Sequence, residues 1–457
     1  MDREPNRRLA ALMAEVGASN KGLARRVRDV ALRHGVRVGT THVSVQRWLD
    51  GAGIQAENAA FVAEALGARL GRRITPADCG FSSPTISPAP NGTTYAATLA
   101  EALGVLDGLT QLRPEDKPPA VELLHDNEVN TAVLSWLVTR PDGVPSDRAA
   151  SHRIGMRDVA AVRTAAEMFM HLDFLYGGGH GHKALRHYFR HEVLPLLDAD
   201  YSERVGSALF NAAAEISQLL AWTAYDSGHH RLADRYLLST LRLTQVTGDR
   251  MMGSRILANM SHQANYLGQV PRAVRLARAA VEGGSNGRAT PRAMAMYSAH
   301  EARALATARD AKGAQRAMLE AENHLAHVGE GGDPPWLAYM DEAELVGEFC
   351  HCFRDLGASA QSVSYAEQAV ALTDPKYARS LGFCRMVLAQ SQLLDGQLEA
   401  AVTTAGLAVT AGDALQSARF QRYVLDFQRE VSVHAGNPEV QQFNDHVRTA
   451  LSGLDDQ

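Results

Sequence analysis

Cysteine is scarce. The four thiols in 457 residues, Cys79, Cys350, Cys352 and Cys384, are too few and too scattered for a disulfide framework. No stretch reaches the roughly 18 uncharged apolar residues that a bilayer crossing needs, and the opening MDREPNRRLA lacks the apolar segment of a secretory signal. These absences lead to the expectation of a cytoplasmic chain with no membrane partner. Catalytic signatures are missing too: there is no nucleophile elbow or ordered Ser/His/Asp set, and Gly177-Gly178-Gly179-His180 lacks both the spacing and the Lys-Ser/Thr ending of a phosphate loop. No enzyme, no catalytic residue and no cofactor are therefore expected. What is present is a globular composition, 46% hydrophobic and 21% charged. The length suggests about three domains, unless a repeat array runs on as one.

Charge is distributed unevenly. Residues 1–80 hold 13 Lys and Arg against 8 Asp and Glu, whereas the other 377 hold 33 against 43. A basic module on an acidic body places any nucleic-acid contact at the start of the chain. Turn signals and composition divide the sequence into a head at 1–81, a Pro/Ser-rich linker at 82–97 (SSPTISPAPNGTT), a helical connecting region at 98–200 and a repeat region at 201–455.

The repeat is read from its punctuation. A turn residue followed five positions later by a small one recurs as Gly228/Ala233, Gly268/Ala273, Arg309/Ala314, Gly357/Ser362 and Gly396/Ala401. The intervals are 40, 41, 48 and 39 residues, and the long one contains the extra loop GEGGDPP. Each unit reads as helix, tight turn, helix. Such a unit cannot bury its apolar face alone, so neighbours must stack. The expected fold is all-α: a small helix-turn-helix bundle followed by a helical-hairpin solenoid of tetratricopeptide-like type.

In the head the informative string is T-T-H-V-S-V-Q-R-W-L-D-G, residues 40–51. Thr41 can cap a helix, Gly51 can end it, and Val45, Trp48 and Leu49 fall on one face. The other face displays His42, Ser44, Gln46 and Arg47, on a helix whose first turn suits a major groove. Upstream, Lys21-Gly22-Leu23-Ala24-Arg25-Arg26-Val27 gives a helix with Lys21, Arg25 and Arg28 outward, placed to anchor phosphates. Leu23-Ala24 and Val45-Gln46-Arg47-Trp48-Leu49-Asp50-Gly51 resemble the second and recognition helices of the lambda-repressor/Cro-like helix-turn-helix class. The resemblance implies a DNA-binding set of Lys21, Arg25, Thr41, His42, Val43, Ser44, Gln46 and Arg47, with double-stranded DNA as partner. One departure is the longer stretch from Leu32 to Thr40, where that class has a short turn.

The whole order of motifs, with Y-G-G-G-H, F-N-A-A-A-E-I, W-T-A-Y-D-S-G and M-S-H-Q-A-N-Y-L-G, resembles an actinomycete family of regulators of development and antibiotic production. It is also similar, by architecture alone, to peptide-pheromone regulators of Gram-positive bacteria. These resemblances imply a transcriptional regulator whose repeats form a homodimer and sense a peptide or small-molecule effector. A repeat scaffold without sequence-specific DNA binding is the alternative left open.

Counting back from the turns, positions four residues apart share a stripe. Arg255, Asn259 and Gln263 lie on one, with His300 and Glu348 level with Asn259, and Glu215 and Glu344 level with Arg255. These polar residues are the candidate effector site on a concave face, or simply wet helix faces. His187 and His191 have the i, i+4 spacing that two metal ligands need, and His180 and His182 lie nearby. No Glu completes a zinc motif, and Leu185, Tyr188 and Phe189 account for the segment as packing, so no metal is expected. Cys350-His351-Cys352 points its thiols to different sides of a helix and reads as buried packing.

Overall fold

The computed structural model describes residues 5–33, 38–52, 54, 56–70, 74, 76, 78–81, 92–112, 124–145, 153–329 and 331–452. The described residues are helical throughout, with one isolated bridge, Arg153 to Asp200, and no strand. None of their helices is long and apolar enough to cross a membrane. They separate into two compact units.

The smaller unit holds α1 (Arg7–Glu15), α2 (Asn20–Arg33), α3 (His42–Leu49) and α4 (Ala56–Leu70). Leu9, Leu23, Val27, Val45, Val62 and Leu66 are sealed in its core, and Trp48 meets Phe81 edge-on at 6.1 Å. Of the expected insertion between α2 and α3, residues 34–37 lie outside the described residues.

The larger unit runs from Gly92. It begins with α5 (Leu99–Gln111), α6 (Asp126–Val138) and α7 (Met156–Tyr176). Next come α8 (Gly178–Tyr188), a π-turn (Phe189–Val193) and the short α9 (Leu194–Leu196). Five hairpins follow: α10 (Glu203–Asp226) with α11 (His230–Thr247), α12 (Arg250–Tyr266) with α13 (Val270–Asn286), α14 (Pro291–Thr307) with α15 (Ala311–Ala326), α16 (Glu342–Leu356) with α17 (Ser359–Leu372), and α18 (Ala378–Leu394) with α19 (Leu398–Ala411). A sixth pair, α20 (Ala418–Glu430) and α21 (Pro438–Ser452), ends the solenoid-like array.

The turn markers do the same work in each of the five hairpins. Gly228, Gly268, Arg309, Gly357 and Gly396 all have positive φ, 62° at Arg309 and 73–83° at the glycines. The residue after each donates to the carbonyl five positions back, at 2.8–2.9 Å, which satisfies a helix-end carbonyl. The small residues five positions on, Ala233, Ala273, Ala314, Ser362 and Ala401, are fully buried where paired helices approach. Ser362 keeps its hydroxyl by sharing a 2.6 Å hydrogen bond with Ser391 and donating to the Cys350 carbonyl.

The region 98–200 packs into the same core as the array. Trp136 of α6 is buried, donates to Thr244 at 3.0 Å and lies under the Arg250 guanidinium. A Cβ at Gly253 would come within 2.1 Å of this indole.

A buried ionic clamp joins α7 and α10 to α18 and α20. Asp226 of α10 accepts from Arg379 at 3.4 Å, pairs with Arg419 at 3.5 Å and accepts the Gly178 N–H at 2.9 Å. Arg379 also meets Asp173 of α7 at 3.0 Å. Burial pushes the Asp173 carboxyl up to about 6 against the pull of Arg379. Arg419 is surrounded by the rings of Tyr225, Phe383, Trp222 and Tyr266 at 4.6–5.8 Å. Backbone bonds reinforce the join: Gln416 donates to Tyr176 at 2.8 Å, and Gly179 donates to Gln416 at 2.9 Å. A Cβ at Gly178 or Gly179 would come within 2.7 or 2.8 Å of a carbonyl oxygen, so the glycine run serves close backbone approach.

Removing one member of a buried charge network strands the others, which costs about 3–5 kcal/mol. Asp226→Ala is expected to destabilise the protein by that amount in urea unfolding. Asp445→Ala, which breaks an exposed pair with Arg448, is expected to stay within about 0.5 kcal/mol of the parent. Equal effects from the two substitutions would refute the clamp.

Candidate nucleic-acid interface and interior polar site

Helix α3 is set in place by its cap and by hydrogen bonds from neighbouring residues. The Thr41 hydroxyl accepts from the Ser44 N–H, and the Ser44 hydroxyl accepts from the Thr41 N–H at 3.2 Å, a reciprocal capping box. Arg28 of α2 donates to the Thr40 carbonyl just before the helix, so this arginine positions α3. At the far end, the Asn6 N–H donates to the Leu49 carbonyl at 2.8 Å. Val45 and Trp48 are buried and Leu49 half-buried, the inward face expected from the sequence.

The opposite face is open. His42, Val43, Gln46 and Arg47 are exposed and Ser44 is half-buried; Val43 keeps 53% of its surface in water. Gln46 is held at both ends, accepting from Asn20 at 2.9 Å and donating to Asp50 at 2.9 Å. Lys21 and Arg25 of α2 are exposed, and with Arg28, Thr41 and His42 they line an open cleft of about 520 Å³. The eight head residues are thus brought to α3 and the adjoining face of α2. Asn20, which fixes Gln46, was not among the residues singled out from the sequence. Only its place as the first residue of α2 could have pointed to it.

The effector candidates of the larger unit are brought together only in part. Gln263 is buried and donates to the His230 carbonyl and to Asp234, both at 2.9 Å. Glu348 accepts from Arg303 at 2.9 and 3.0 Å. His300 is half-buried, hydrogen-bonds the Met296 carbonyl and packs against His262. These three have partners inside the protein. Arg255 and Asn259 are also buried, yet Arg255 Nε and Asn259 Nδ2 have no partner. The wet concave stripe foreseen from spacing is therefore an enclosed interior.

That interior contains a polar chain that spacing did not reveal. Arg303 can only donate, so His262 Nε2 accepts from it at 3.2 Å, which leaves the His262 Nδ1–H to donate to the Tyr225 hydroxyl at 2.9 Å. Burial, with Arg303 and Arg419 nearby, holds His262 well below the usual imidazole range.

Histidines 180, 182, 187 and 191 do not converge. His180 stacks on Tyr176, and His187 lies against His191 with ring centres 4.4 Å apart. His182 is buried against Thr223 at 2.8 Å. Among the described residues no group of three or more His, Cys, Asp or Glu could hold a metal ion. Cys350 and Cys352 are buried, and burial raises both thiols.

Residues 9–82, from within α1 past the end of α4, match the family model described as the SP15 N-terminal domain. No curated protein matches the chain.

His182 supplies a pH test. The Thr223 hydroxyl proton goes to the Leu219 and Leu220 carbonyls, so the imidazole donates through Nδ1–H. Burial, with the Arg186 and His229 charges, pushes its pKa down to about 4. A folded-state pKa below the unfolded one gives stability that is present above about pH 6.5 and lost as pH falls towards about 4. The fall in thermal midpoint between about pH 7.5 and about pH 4.5 is expected to be smaller in His182→Gln than in the parent. Equal falls would show that His182 is not held neutral.

Proposed function

We propose that the protein is a DNA-binding transcriptional regulator of development or secondary metabolism. In this reading its helical-repeat unit forms the homodimer and senses a peptide or small-molecule effector. The observation that carries it is the capped start of α3, exposed beside a cleft lined by Lys21, Arg25 and His42. Lys21 and Arg25 meet phosphates, and each phosphate contact releases counterions and steepens the salt dependence. His42 and Gln46 face base edges, Arg47 donates to guanine, and Val43 meets a thymine methyl. A dimer holds two such heads over two half-sites, and an effector in the repeats alters their spacing. The chain acts in the cytoplasm and needs no cofactor.

The test is retention and sequencing of genomic DNA fragments by the purified protein across a salt series. A regulator retains preferred fragments, whereas a scaffold without sequence-specific binding retains none preferentially. On a preferred fragment, Arg47→Ala is expected to cost about 1–3 kcal/mol and relax specificity at one base pair. Lys21→Ala is expected to weaken all fragments alike and lower the salt slope by about one. An Arg47→Ala protein that binds the preferred fragment undiminished removes the base-contact assignment.

A further inference from the structure

The buried arginines of the repeat unit divide into two kinds. Arg242, Arg272, Arg303, Arg379 and Arg419 each meet a carboxylate at 2.6–3.7 Å. Arg235 and Arg255 meet none among the described residues. Among the buried arginines whose Nε reaches neither solvent nor an acceptor, namely Arg255, Arg272, Arg379 and Arg419, Arg255 alone has no carboxylate pair among the described residues. One turn along α12, Asn259 Nδ2 is equally stranded. A buried guanidinium with no carboxylate within ion-pair distance is a costly arrangement in a folded protein. An enclosed cationic donor without an acceptor, at the edge of a pocket, marks an unfilled site.

The surroundings say what fits. Arg255 lines a pocket with Glu215 and Gln218 of α10, Glu167 and Met170 of α7, and Trp336. The free space is about 20 Å³, room for a single water. The Trp336 indole lines the same space, stacked on the guanidinium with its ring centre 4.3 Å away. Trp336 follows the extra loop that makes one repeat interval 48 residues. The single irregularity of the period thus delivers the group that covers the unpaired arginine.

We propose that this pocket binds a free α-amino acid with a large apolar side chain. The carboxylate is held by Arg255, the ammonium faces Glu215 and Glu167, and the side chain takes the place of the displaced indole. The inference rests on the effector-sensing part of the reading above. The edge of a guanidinium presents two N–H donors side by side, which suit the two oxygens of a carboxylate. A phosphate dianion is disfavoured, because Glu215 and Glu167 stand in the same pocket and repel a second negative charge. Those carboxylates favour a cationic group instead. Among the described residues, Glu215 pairs with Arg163 at 3.7 Å, an arginine whose side chain is 40% exposed. Met170 and Leu219 provide an apolar wall.

The test uses the full chain, with calorimetric titration and thermal unfolding. The probes are L-phenylalanine and L-leucine, set against L-phenylalaninamide, 3-phenylpropionate and inorganic phosphate. The amino acids are expected to raise the thermal midpoint in proportion to the logarithm of their concentration. The amide, which lacks the carboxylate, and the propionate, which lacks the ammonium, should bind about tenfold more weakly or worse. Arg255→Met is expected to abolish binding and raise the midpoint of the ligand-free protein, since a structural arginine would lower it. Glu215→Gln, which keeps Arg255, is expected to weaken the amino acids about tenfold and leave 3-phenylpropionate unchanged. Absence of any amino-acid effect, tightest binding by phosphate, or a lower midpoint with binding intact in Arg255→Met overturns the proposal. DNA retention measured on the same preparations separates this failure from loss of the DNA-binding reading, because preferred fragments are then still retained.

Discussion

The carboxylate of Asp226 is the point on which the larger unit turns. It belongs to the first repeat hairpin, yet its cationic partners, Arg379 and Arg419, lie some 150 and 190 residues later in the chain. A helical-hairpin array is ordinarily held by contacts between neighbours, each hairpin burying the next. Here an interaction between distant hairpins adds a constraint that nearest-neighbour packing does not supply. Four charged groups taken out of water stand or fall together, because the loss of any one leaves the others unpaired in a medium of low dielectric. The close backbone approach of Gly178 and Gly179, the aromatic rings around Arg419 and the Arg303–His262–Tyr225 chain all lie near this closure. It is what turns an expected open groove into an enclosed polar interior.

This division also explains what could be read from the sequence and what could not. The turn residues and the small residues five positions on are local requirements: a left-handed backbone at a helix end and a short side chain at a close helix crossing. Each leaves a mark at a fixed spacing, so the hairpin boundaries from Gly228 to Ala401 could be found by counting. Even Arg309, which adopts the left-handed turn without being glycine, is identified by its place in the period. The pairing of Asp226 with Arg379 and Arg419 has no period. Nothing in one linear sequence distinguishes an arginine that reaches a distant aspartate from one that meets water. The same reason explains why Glu348 and Gln263, counted onto one polar stripe by spacing, gave no sign of having internal partners.

In the head, legibility was greater because the relevant geometry is confined to one short helix. Thr41, Val45, Trp48 and Gly51 announce a start, an inward face and a stop, and the structure places each in that role. What spacing could not separate were two classes of polar residue around that helix. Arg28, Asn6 and the Thr41–Ser44 pair spend their hydrogen bonds on holding α3. His42, Val43 and Arg47 remain exposed on its outer side. Gln46 lies between the classes, bound at both ends and so presented in one orientation. A helix fixed by one set of groups while another stays free is preorganised for a ligand, since little further ordering is needed on contact.

The contrast between Arg303 and Arg255 extends this logic to the interior. Both are buried arginines on the first helix of adjacent hairpins. Arg303 has a carboxylate, an imidazole and a phenol around it, and its environment is complete without a ligand. Arg255 has an indole, and the glutamates of its pocket make no ion pair with it. If stability alone had shaped the second site, an uncharged side chain of similar size would serve better, because it avoids the desolvation penalty and packs on Trp336 equally well. Sequences that fold well are consistent across levels, and a local breach of that consistency marks either strain or function. At Arg255 the breach coincides with the one insertion in the repeat and with the pocket that holds both signs of charge. Three independent features converging on one small space are difficult to attribute to packing.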